Sequence, residues 1–298
     1  MRAMVAITQS KRSSNFGVTL YYHHPMEPFV EVDWLAERLD DPKIAIVDSR
    51  SAPAAVFYGG VGREQYIYGH IPGAVHLDYA DQLHDSYTQY CTRVAPPGRF
   101  AEELGKVGIS NDMTVIAYDG GDAPYAARIA WMLRYYGHDN AAILAGGIDA
   151  WIEAGHRREG EIPTRRMCKF EPKARLELRA SVEEVLHVAD GSSPAQLLAV
   201  WPDTVYARRD REITGARRLS FSQLFDELHG CRMVPPERIR ELTSDLDPSK
   251  RTITYCGNGV HSSAVYFALQ SIGFSDVAVY DGSWAEWKYH KLPTTPNT

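Results

Sequence analysis

Residues 252–263 read TITYCGNGVHSS, and residues 114–121 read TVIAYDGG. In both stretches a β-branched run, typical of a strand, ends at a tyrosine followed by one polar residue and a glycine. Apolar residues at helical spacing follow each stretch, until a glycine ends the pattern. Each stretch therefore predicts a strand, a tight turn and a helix, with Cys256 in one turn and Asp119 in the other.

These stretches lie within a longer internal repeat. Matching residues follow them at a constant spacing: Leu133 with Leu269, Gly137 with Gly273, Gly146 with Gly282, and Trp151 with Trp287. Other matches precede them: Ile71 with Ile213, Gly73 with Gly215, and Pro96-Pro97 with Pro235-Pro236. A period of about 140 residues is too long for a solenoid, so the sequence indicates a duplicated domain.

Both copies alternate strands with helices. The second copy predicts strands at 196–200, 252–255 and 277–280, and helices at 263–272 and 284–289. The first copy predicts strands at 43–47, 114–118 and 141–144, and a helix at 125–135. Such alternation requires crossover connections and favours a mostly parallel sheet flanked by helices. We therefore predict an α/β fold of two similar domains.

The domain boundaries follow from the repeat. We predict a first domain at 27–155 and a second domain, which contains Cys256, at 179–298. The charged, proline-containing stretch between them predicts a surface linker at 156–178. Residues 1–26 contain no acidic residue and no long apolar run, which favours a disordered N-terminal extension over a transit peptide.

Composition limits the possible partners and compartment. The chain has 298 residues and a net charge of −6. Because binding to nucleic acid or to an anionic membrane rests on clustered positive charge, we expect neither partner. No apolar run approaches the ~20 residues of a transmembrane helix. The four cysteines form no CxxC pair and do not have the spacing of a disulfide framework, which favours a reducing compartment, most simply the cytoplasm. We expect no metal site.

Cys256 is the candidate nucleophile. It follows a predicted strand and precedes a glycine-containing loop and a predicted helix. Loop amides and the positive end of the helix would both stabilise a thiolate, which is the reactive form of cysteine. Ligands of open α/β sheets also bind beyond the carboxyl ends of the strands. A buried structural cysteine in a tight turn is the alternative interpretation.

Four motifs occur in order along the chain: GHIPGAVHLD at 69–78, AGGIDAW at 145–151, YCGNGV at 255–260 and YDGSWAEW at 280–287. These motifs and the internal repeat together resemble the tandem-domain rhodaneses, a family of thiosulfate and 3-mercaptopyruvate sulfurtransferases. The resemblance extends over residues 27–292.

The resemblance implies sulfur transfer in two half-reactions, with no cofactor. Cys256 would attack a small-molecule sulfur donor, 3-mercaptopyruvate or thiosulfate, and become a persulfide. The outer sulfur would pass to cyanide, to a low-molecular-weight thiol or to a thioredoxin-like protein. The first domain, with Asp119 in place of the cysteine, would be a non-catalytic partner that closes the site. The persulfide-binding loop would comprise Gly257, Asn258, Gly259, Val260, His261 and Ser262.

Residue spacing argues against two other thiol chemistries. Rhodanese-like phosphatases need an arginine six residues after the cysteine, and Ser262 stands there. A papain-like mechanism needs a histidine base beside the thiol. We interpret His261 as a loop residue that adds positive character and is not a base, so we expect its replacement to cost little.

The second domain departs from the family pattern near its first strand. Ala199 and Val205 stand where the family usually has an aspartate and a substrate-binding arginine. Arg208 and Arg209 follow closely and could form a replacement anion clamp, although a solvated charged loop explains them equally well. If donor recognition is lost, the chain would be a sulfur carrier or binding module, which is the alternative to an enzyme.

Two further positions bear on the donor and on proton transfer. The neutral pair Gly257-Asn258 favours 3-mercaptopyruvate over dianionic thiosulfate, although Asn258 replaces a small hydroxyl residue of the mercaptopyruvate group. His70 lies in the intact GHIPGA motif, where the family suggests a relay toward the loop of the other domain. We favour a structural role for His70, because Asn258 lacks the hydroxyl through which the relay would act.

Overall fold

The structure is a computed structural model that describes residues 26–51, 61–86, 93–121, 124–226 and 230–296. Of the predicted N-terminal extension, only Met26 is among them. No helix in the described part of the chain is long and apolar enough to cross a membrane.

The first domain is built on a parallel sheet with the strand order β1-β5-β4-β2-β3 in the described residues. Its strands are β1 (Phe29–Val30), β2 (Ile44–Asp48), β3 (Val75–His76), β4 (Thr114–Tyr118) and β5 (Ala141–Leu144). Its helices are α1 (Val32–Ala36), α2 (Val61–Tyr68), α3 (Pro97–Lys106), α4 (Tyr125–Tyr135) and α5 (Gly147–Glu153).

The second domain repeats this plan with the strand order β6-β13-β12-β7-β9, again parallel throughout. Its strands are β6 (Arg179–Ala180), β7 (Gln196–Trp201), β8 (Arg211–Ile213), β9 (Arg217–Ser220), β10 (Phe225–Asp226), β11 (Arg232–Met233), β12 (Thr252–Tyr255), β13 (Val277–Tyr280) and β14 (Thr294–Pro296). Its helices are α6 (Val182–Ala189), α7 (Asp203–Tyr206), α8 (Phe221–Leu224), α9 (Pro236–Leu242), α10 (Val260–Ser271) and α11 (Ser283–Tyr289), preceded by a 3₁₀ turn at Leu176–Leu178. The equal strand order confirms the predicted fold of two similar α/β domains.

The two domains share an apolar interface. Helix α4 of the first domain packs against helix α10 of the second, and one buried cluster includes Trp131 and Leu133 together with Val265 and Leu269. Helix α10 begins directly after Cys256 and its loop. The helix that presents the candidate nucleophile is therefore fixed against the first domain.

The stretch predicted as a linker has no helix or strand through residue 175 but is attached to the first domain. The Cys168 amide donates to the Gly105 carbonyl at 3.1 Å, and the Lys173 amide donates to the Tyr136 carbonyl at 2.9 Å. The Phe170 side chain is buried in the core. Because of these contacts the segment forms part of the packed structure.

Candidate active site

Cys256 directly follows the carboxyl end of β12, the central strand of its sheet, which is flanked by the parallel strands β7 and β13. The carbonyls of Cys256 and Gly257 accept hydrogen bonds from the amides of Trp284 and Ala285 at 2.9 and 3.1 Å. The Cys256 amide donates to Ser283 Oγ at 3.3 Å. The YDGSWAEW motif thus holds the start of the loop that follows Cys256 in place.

Both glycines of this loop lie close to other side chains. A Cβ atom on Gly257 would lie 3.2 Å from the ring of Trp201. Gly259 has φ +88°, in the left-handed region that favours glycine, and caps the start of α10. A Cβ atom there would lie 2.8 Å from a guanidinium nitrogen of Arg128. Gly259 therefore has no room for a side chain without strain, whereas a Cβ atom on Gly257 would require the Trp201 ring to move slightly.

The Cys256 thiol is fully buried, and its surroundings favour the thiolate. Burial alone would raise the pKa of the thiol, but the hydrogen bond and positive charge of His261 oppose burial, as do the amide and hydroxyl of Ser262. Their combined effect lowers the pKa of Cys256 to about 6. Ser262 Oγ lies 3.6 Å from Cys256 Sγ. A nucleophile of this kind is largely ionised near neutral pH.

The structure places His261 in a helix, whereas the sequence-based interpretation placed it in a loop. It is the second residue of helix α10, not a loop residue, and its side chain hydrogen-bonds Cys256 from the first helical turn. Its ring packs edge-on against Phe221, with centroids 4.7 Å apart. The sequence-based interpretation assigned His261 to the loop because it began the helix at residue 263, whereas Gly259 caps a helix that begins at Val260. The expectation that replacement of His261 costs little is revised accordingly. His261 therefore contacts the nucleophile directly.

The loop that follows Cys256 contacts the first domain. Asn258 Nδ2 donates to the hydroxyl of Tyr79, which follows strand β3, at 3.4 Å. Arg128 of helix α4 lies against Gly259 and forms a fully buried ion pair with Asp281, at the end of β13. The Asp281 carboxylate also forms an ion pair with Arg179 at 3.3 Å, and these cations hold the pKa of Asp281 below its usual range despite burial.

The matching turn of the first domain contains a carboxylate where the second has a thiol. Asp119 accepts hydrogen bonds from the amides of Gly121 at 3.1 Å and Ala126 at 2.9 Å, the latter in the first turn of α4. Cys231, in the hairpin formed by β10 and β11, donates from its sulfur to the Gly121 carbonyl at 3.2 Å. The first domain therefore retains an anion-binding turn but has no nucleophile in it.

The Asp-x-Arg motif of the first domain forms a structural ion pair. Asp48 and Arg50 are both buried, with Arg50 Nε 3.0 Å from Asp48 Oδ1. Arg50 also donates to the Gly69 carbonyl at 2.9 Å. The Tyr118 hydroxyl donates to Asp48 at 2.6 Å and accepts from the Ile71 amide at 3.2 Å. This network links the ends of two central strands to the GHIPGA turn.

The second domain rebuilds the same network from different residues. Ala199 pairs with Tyr255 in the sheet, as Asp48 pairs with Tyr118, so the aspartate is absent at its matching position. The Tyr255 hydroxyl instead donates to Glu212 at 2.8 Å and accepts from the Ile213 amide at 3.1 Å.

Arg209 supplies the cation of the rebuilt network. It pairs with Glu212 at 3.2 Å and donates to the Arg211 carbonyl at 3.0 Å, which matches the Gly69 carbonyl of the first domain. Its guanidinium lies between the rings of Trp201 and Trp284, at 3.9 and 4.3 Å from their centroids. These contacts correct the expectation that Arg209 is a donor clamp, because its charge is committed to a buried carboxylate.

We expect Arg209→Ala to lower the free energy of unfolding by about 3 kcal/mol, because Glu212 would stay buried without its cation. Arg208 is exposed in the adjacent turn, so Arg208→Ala should change that free energy by less than about 0.5 kcal/mol. Urea unfolding measures both variants. Equal stability of the two would contradict the structural assignment of Arg209. A raised KM for the donor in Arg208→Ala is the result expected if Arg208 is the anion clamp, which stays a prediction.

His70 lies in the core of the first domain. Its ring stacks on Tyr66 with centroids 4.1 Å apart, and its Nδ1 lies 2.7 Å from the Tyr66 carbonyl oxygen. Its backbone pairs with Glu159. Among the described residues, the contacts of this side chain belong to the first domain, so they support the structural role and not the interdomain relay.

Sequence reasoning missed three residues of this region: Tyr79, Arg128 and Glu212. Tyr79 and Arg128 belong to the first domain and meet the loop only through domain packing. Residues 212–216 read EITGA and match HIPGA at 70–74 of the first domain, so Glu212 occupies the position of His70. A charged residue at a position that is buried in the first domain was the available signal.

Comparisons with known proteins agree with this arrangement. A model of the rhodanese-like domain matches residues 31–154 and again residues 181–290. The 3-mercaptopyruvate sulfurtransferase of Escherichia coli K12 is 33% identical, with 90% of this chain and 98% of the relative covered. The thiosulfate sulfurtransferase of Bos taurus is 30% identical, with 89% of this chain and 92% of the relative covered.

Solved structures show the same fold. SseA from Escherichia coli, a 3-mercaptopyruvate sulfotransferase, superposes with a TM-score of 0.78 at 29% identity, covering 86% of this chain and 98% of that one. An anaerobic ergothioneine biosynthesis enzyme from Chlorobium limicola superposes with a TM-score of 0.75 at 20% identity, covering 91% of this chain and 71% of that one. The second similarity concerns the fold alone.

Proposed function

The chain belongs to the rhodanese family and is a sulfurtransferase, and from this premise we propose that it moves sulfur through a persulfide on Cys256. The observation that carries the proposal is the buried thiol at the amino end of α10, whose pKa is lowered to about 6 by His261 and Ser262 against the opposing effect of burial. A thiolate present at neutral pH is what attack on a sulfur donor requires.

In the first half-reaction the Cys256 thiolate attacks the donor sulfur, and a sulfur–sulfur bond forms. With thiosulfate, the existing sulfur–sulfur bond breaks and its electron pair leaves with sulfite, so no proton moves. With 3-mercaptopyruvate, the carbon–sulfur bond breaks and its electron pair leaves as the enolate of pyruvate. The proton of the substrate thiol then balances the charge by ending on that carbon.

In the second half-reaction an acceptor attacks the outer sulfur. The sulfur–sulfur bond breaks, and Cys256 regains the electron pair as a thiolate, which His261 and Ser262 stabilise. Cyanide would give thiocyanate, whereas a thiol would become a persulfide. A low-molecular-weight thiol or a thioredoxin-like protein is the acceptor proposed here, with cyanide as its laboratory equivalent.

Two observations bear on the donor and the location. The loop residues Gly257 and Asn258 add no positive charge beside the sulfur, which favours 3-mercaptopyruvate over dianionic thiosulfate. Cys168, Cys231 and Cys256, the cysteines in the described part of the chain, are thiols, which supports a reducing compartment such as the cytoplasm.

The rebuilt ion pair favours an enzyme over a sulfur carrier. The carrier interpretation rested on Ala199 and Val205, which stand where the family usually has an aspartate and a substrate-binding arginine. In the first domain the Asp-x-Arg motif stabilises a turn, and in the second domain Arg209 and Glu212 take over the same contacts. Arg209 and Glu212 therefore compensate for the aspartate that is missing at position 199. Val205 leaves the anion clamp to another residue, for which Arg208 is the candidate.

Mass spectrometry of the intact protein, combined with steady-state assays, tests this function. After incubation with 3-mercaptopyruvate or thiosulfate we expect a mass gain of one sulfur atom on Cys256, and its loss on addition of cyanide or a thiol. We also expect saturable release of pyruvate or sulfite. A mass gain without turnover would identify a carrier, and no mass gain with either donor would contradict the persulfide.

A further inference from the structure

Tyr79 brings a hydroxyl group from the first domain to the catalytic loop. Its side chain is 1% exposed, and its ring stacks on Tyr125 with centroids 5.6 Å apart. The preceding residue fixes the turn, because Asp78 accepts from the Ala80 amide at 2.8 Å and from Ser51 Oγ at 2.9 Å. The position of the Tyr79 hydroxyl is therefore set by the packed first domain.

The hydrogen of this hydroxyl is available to a ligand. Asn258 Nδ2 donates to Tyr79 Oη, so this contact uses a lone pair of the phenol oxygen and leaves its hydrogen uncommitted. Among the described residues no other side chain or carbonyl accepts from it. Burial and the nearby charge of Cys256 raise the pKa of Tyr79, so the phenol stays protonated and remains a donor.

The available hydrogen lies next to the place where sulfur is bound. Asn258, whose amide donates to Tyr79 Oη, follows Cys256 by two residues in the loop. Burial is the main cause of the raised pKa of Tyr79, and the charges of Asp78 and Cys256 contribute to it. His261 and Ser262 approach the Cys256 sulfur from helix α10 in the second domain, whereas Tyr79 comes from the first domain. The two domains thus contact the sulfur site with different groups.

We propose that the Tyr79 hydroxyl donates a hydrogen bond to the outer sulfur of the Cys256 persulfide, which makes the first domain part of the catalytic site. This inference rests on the proposed function. The outer sulfur carries the negative charge once sulfite or pyruvate has left, and a hydrogen bond to a charged group is stronger than one to a neutral group. The bond forms as the persulfide forms, so it favours the first half-reaction.

Tyr79→Phe tests the proposal, with Tyr66→Phe as the matched control. Tyr66 is also buried in the first domain, and its hydroxyl donates to the Ala74 carbonyl at 2.9 Å. We expect Tyr79→Phe to slow persulfide formation from thiosulfate by about tenfold or more, in single-turnover experiments. The equilibrium in thiosulfate–sulfite mixtures should shift toward free enzyme by a similar factor. The thiol pKa of Cys256, followed by thiolate absorbance, should stay near its wild-type value.

The outcomes separate this proposal from the function on which it rests. If the wild-type protein forms no persulfide, the proposed function fails. If the wild-type forms a persulfide and Tyr79→Phe matches Tyr66→Phe in rate and equilibrium, only the role of Tyr79 is overturned. A shifted thiol pKa with an unchanged persulfide equilibrium would also overturn it. Asn258→Ala, which removes the amide that holds the hydroxyl, should give a smaller change in the same direction.

Discussion

Cys256→Ser is expected to abolish sulfur transfer, lowering turnover by at least about 10⁴-fold, because the nucleophile that carries the sulfur is lost. A serine hydroxyl is not ionised near neutral pH, and its oxygen cannot form the sulfur–sulfur bond of the persulfide. The side chains are close in size, and Ser283 Oγ and the amides of α11 bind the backbone of this turn, not the sulfur. The fold should therefore persist, with thermal unfolding close to that of the wild type.

Cys168→Ser is the matched control for this change. Cys168 is partly exposed in the segment between the domains, and burial raises the pKa of its thiol above the usual value. We expect full activity in this variant and a mass gain of sulfur on Cys256 as in the wild type. Sulfur transfer that survives Cys256→Ser, or that is lost in Cys168→Ser, would contradict the assignment of the nucleophile.

His261→Asn is expected to have the second largest effect, and the effect should depend on pH. Without the hydrogen bond and charge of His261, burial dominates and the pKa of Cys256 should rise from about 6 to at least the free value of about 8.5. The thiolate is the nucleophile, so the rate rises with pH through the thiol pKa. Near pH 7 the thiolate fraction, and with it the rate of persulfide formation, should fall about 30-fold.

The thiolate absorbance, measured against pH and corrected with Cys256→Ser, gives the pKa of Cys256 directly. Single-turnover transfer from thiosulfate gives the rate of persulfide formation. Thiosulfate is the suitable donor here because its leaving group, sulfite, needs no proton. The loss should shrink as the pH rises above the new midpoint. His187→Ala, which removes an exposed histidine on helix α6, should leave both measurements unchanged. A midpoint that remains near 6 in His261→Asn would refute the role of His261.

The sequence predicted the central strands well because their signals are local. The runs 114–118, 141–144, 252–255 and 277–280 coincide with strands of the structure, since each is an apolar or β-branched run with clear boundaries. The start of α10 was misplaced by three residues, because Gly259 was interpreted as part of a loop and not as the cap of the helix. Strands β8, β10, β11 and β14 have two or three residues each, too few to show a period.

The site was predictable where it follows from neighbouring residues, and not where it depends on packing. Cys256 and its loop could be recognised from the strand, the glycines and the following helix. The contacts of Tyr79 and Arg128 with the loop exist only because α4 packs against α10. The register between β7 and β12 places Ala199, which has no carboxylate, beside Tyr255, and the Tyr255 hydroxyl bonds Glu212 instead. The domain packing leaves no pattern in the sequence, and the charged Glu212 in EITGA is the one local signal of the ion pair.

The exchange of partners around Tyr255 also makes the order of evolutionary substitutions matter. Returning Ala199 to aspartate alone would place a second buried carboxylate beside Glu212, with one arginine between them. Removing Glu212 first would leave Arg209 between its two indole rings without an anion. Each single step toward the network of the first domain passes through an unbalanced buried charge. We therefore expect Glu212 and Arg209 to occur together in proteins that carry alanine at position 199.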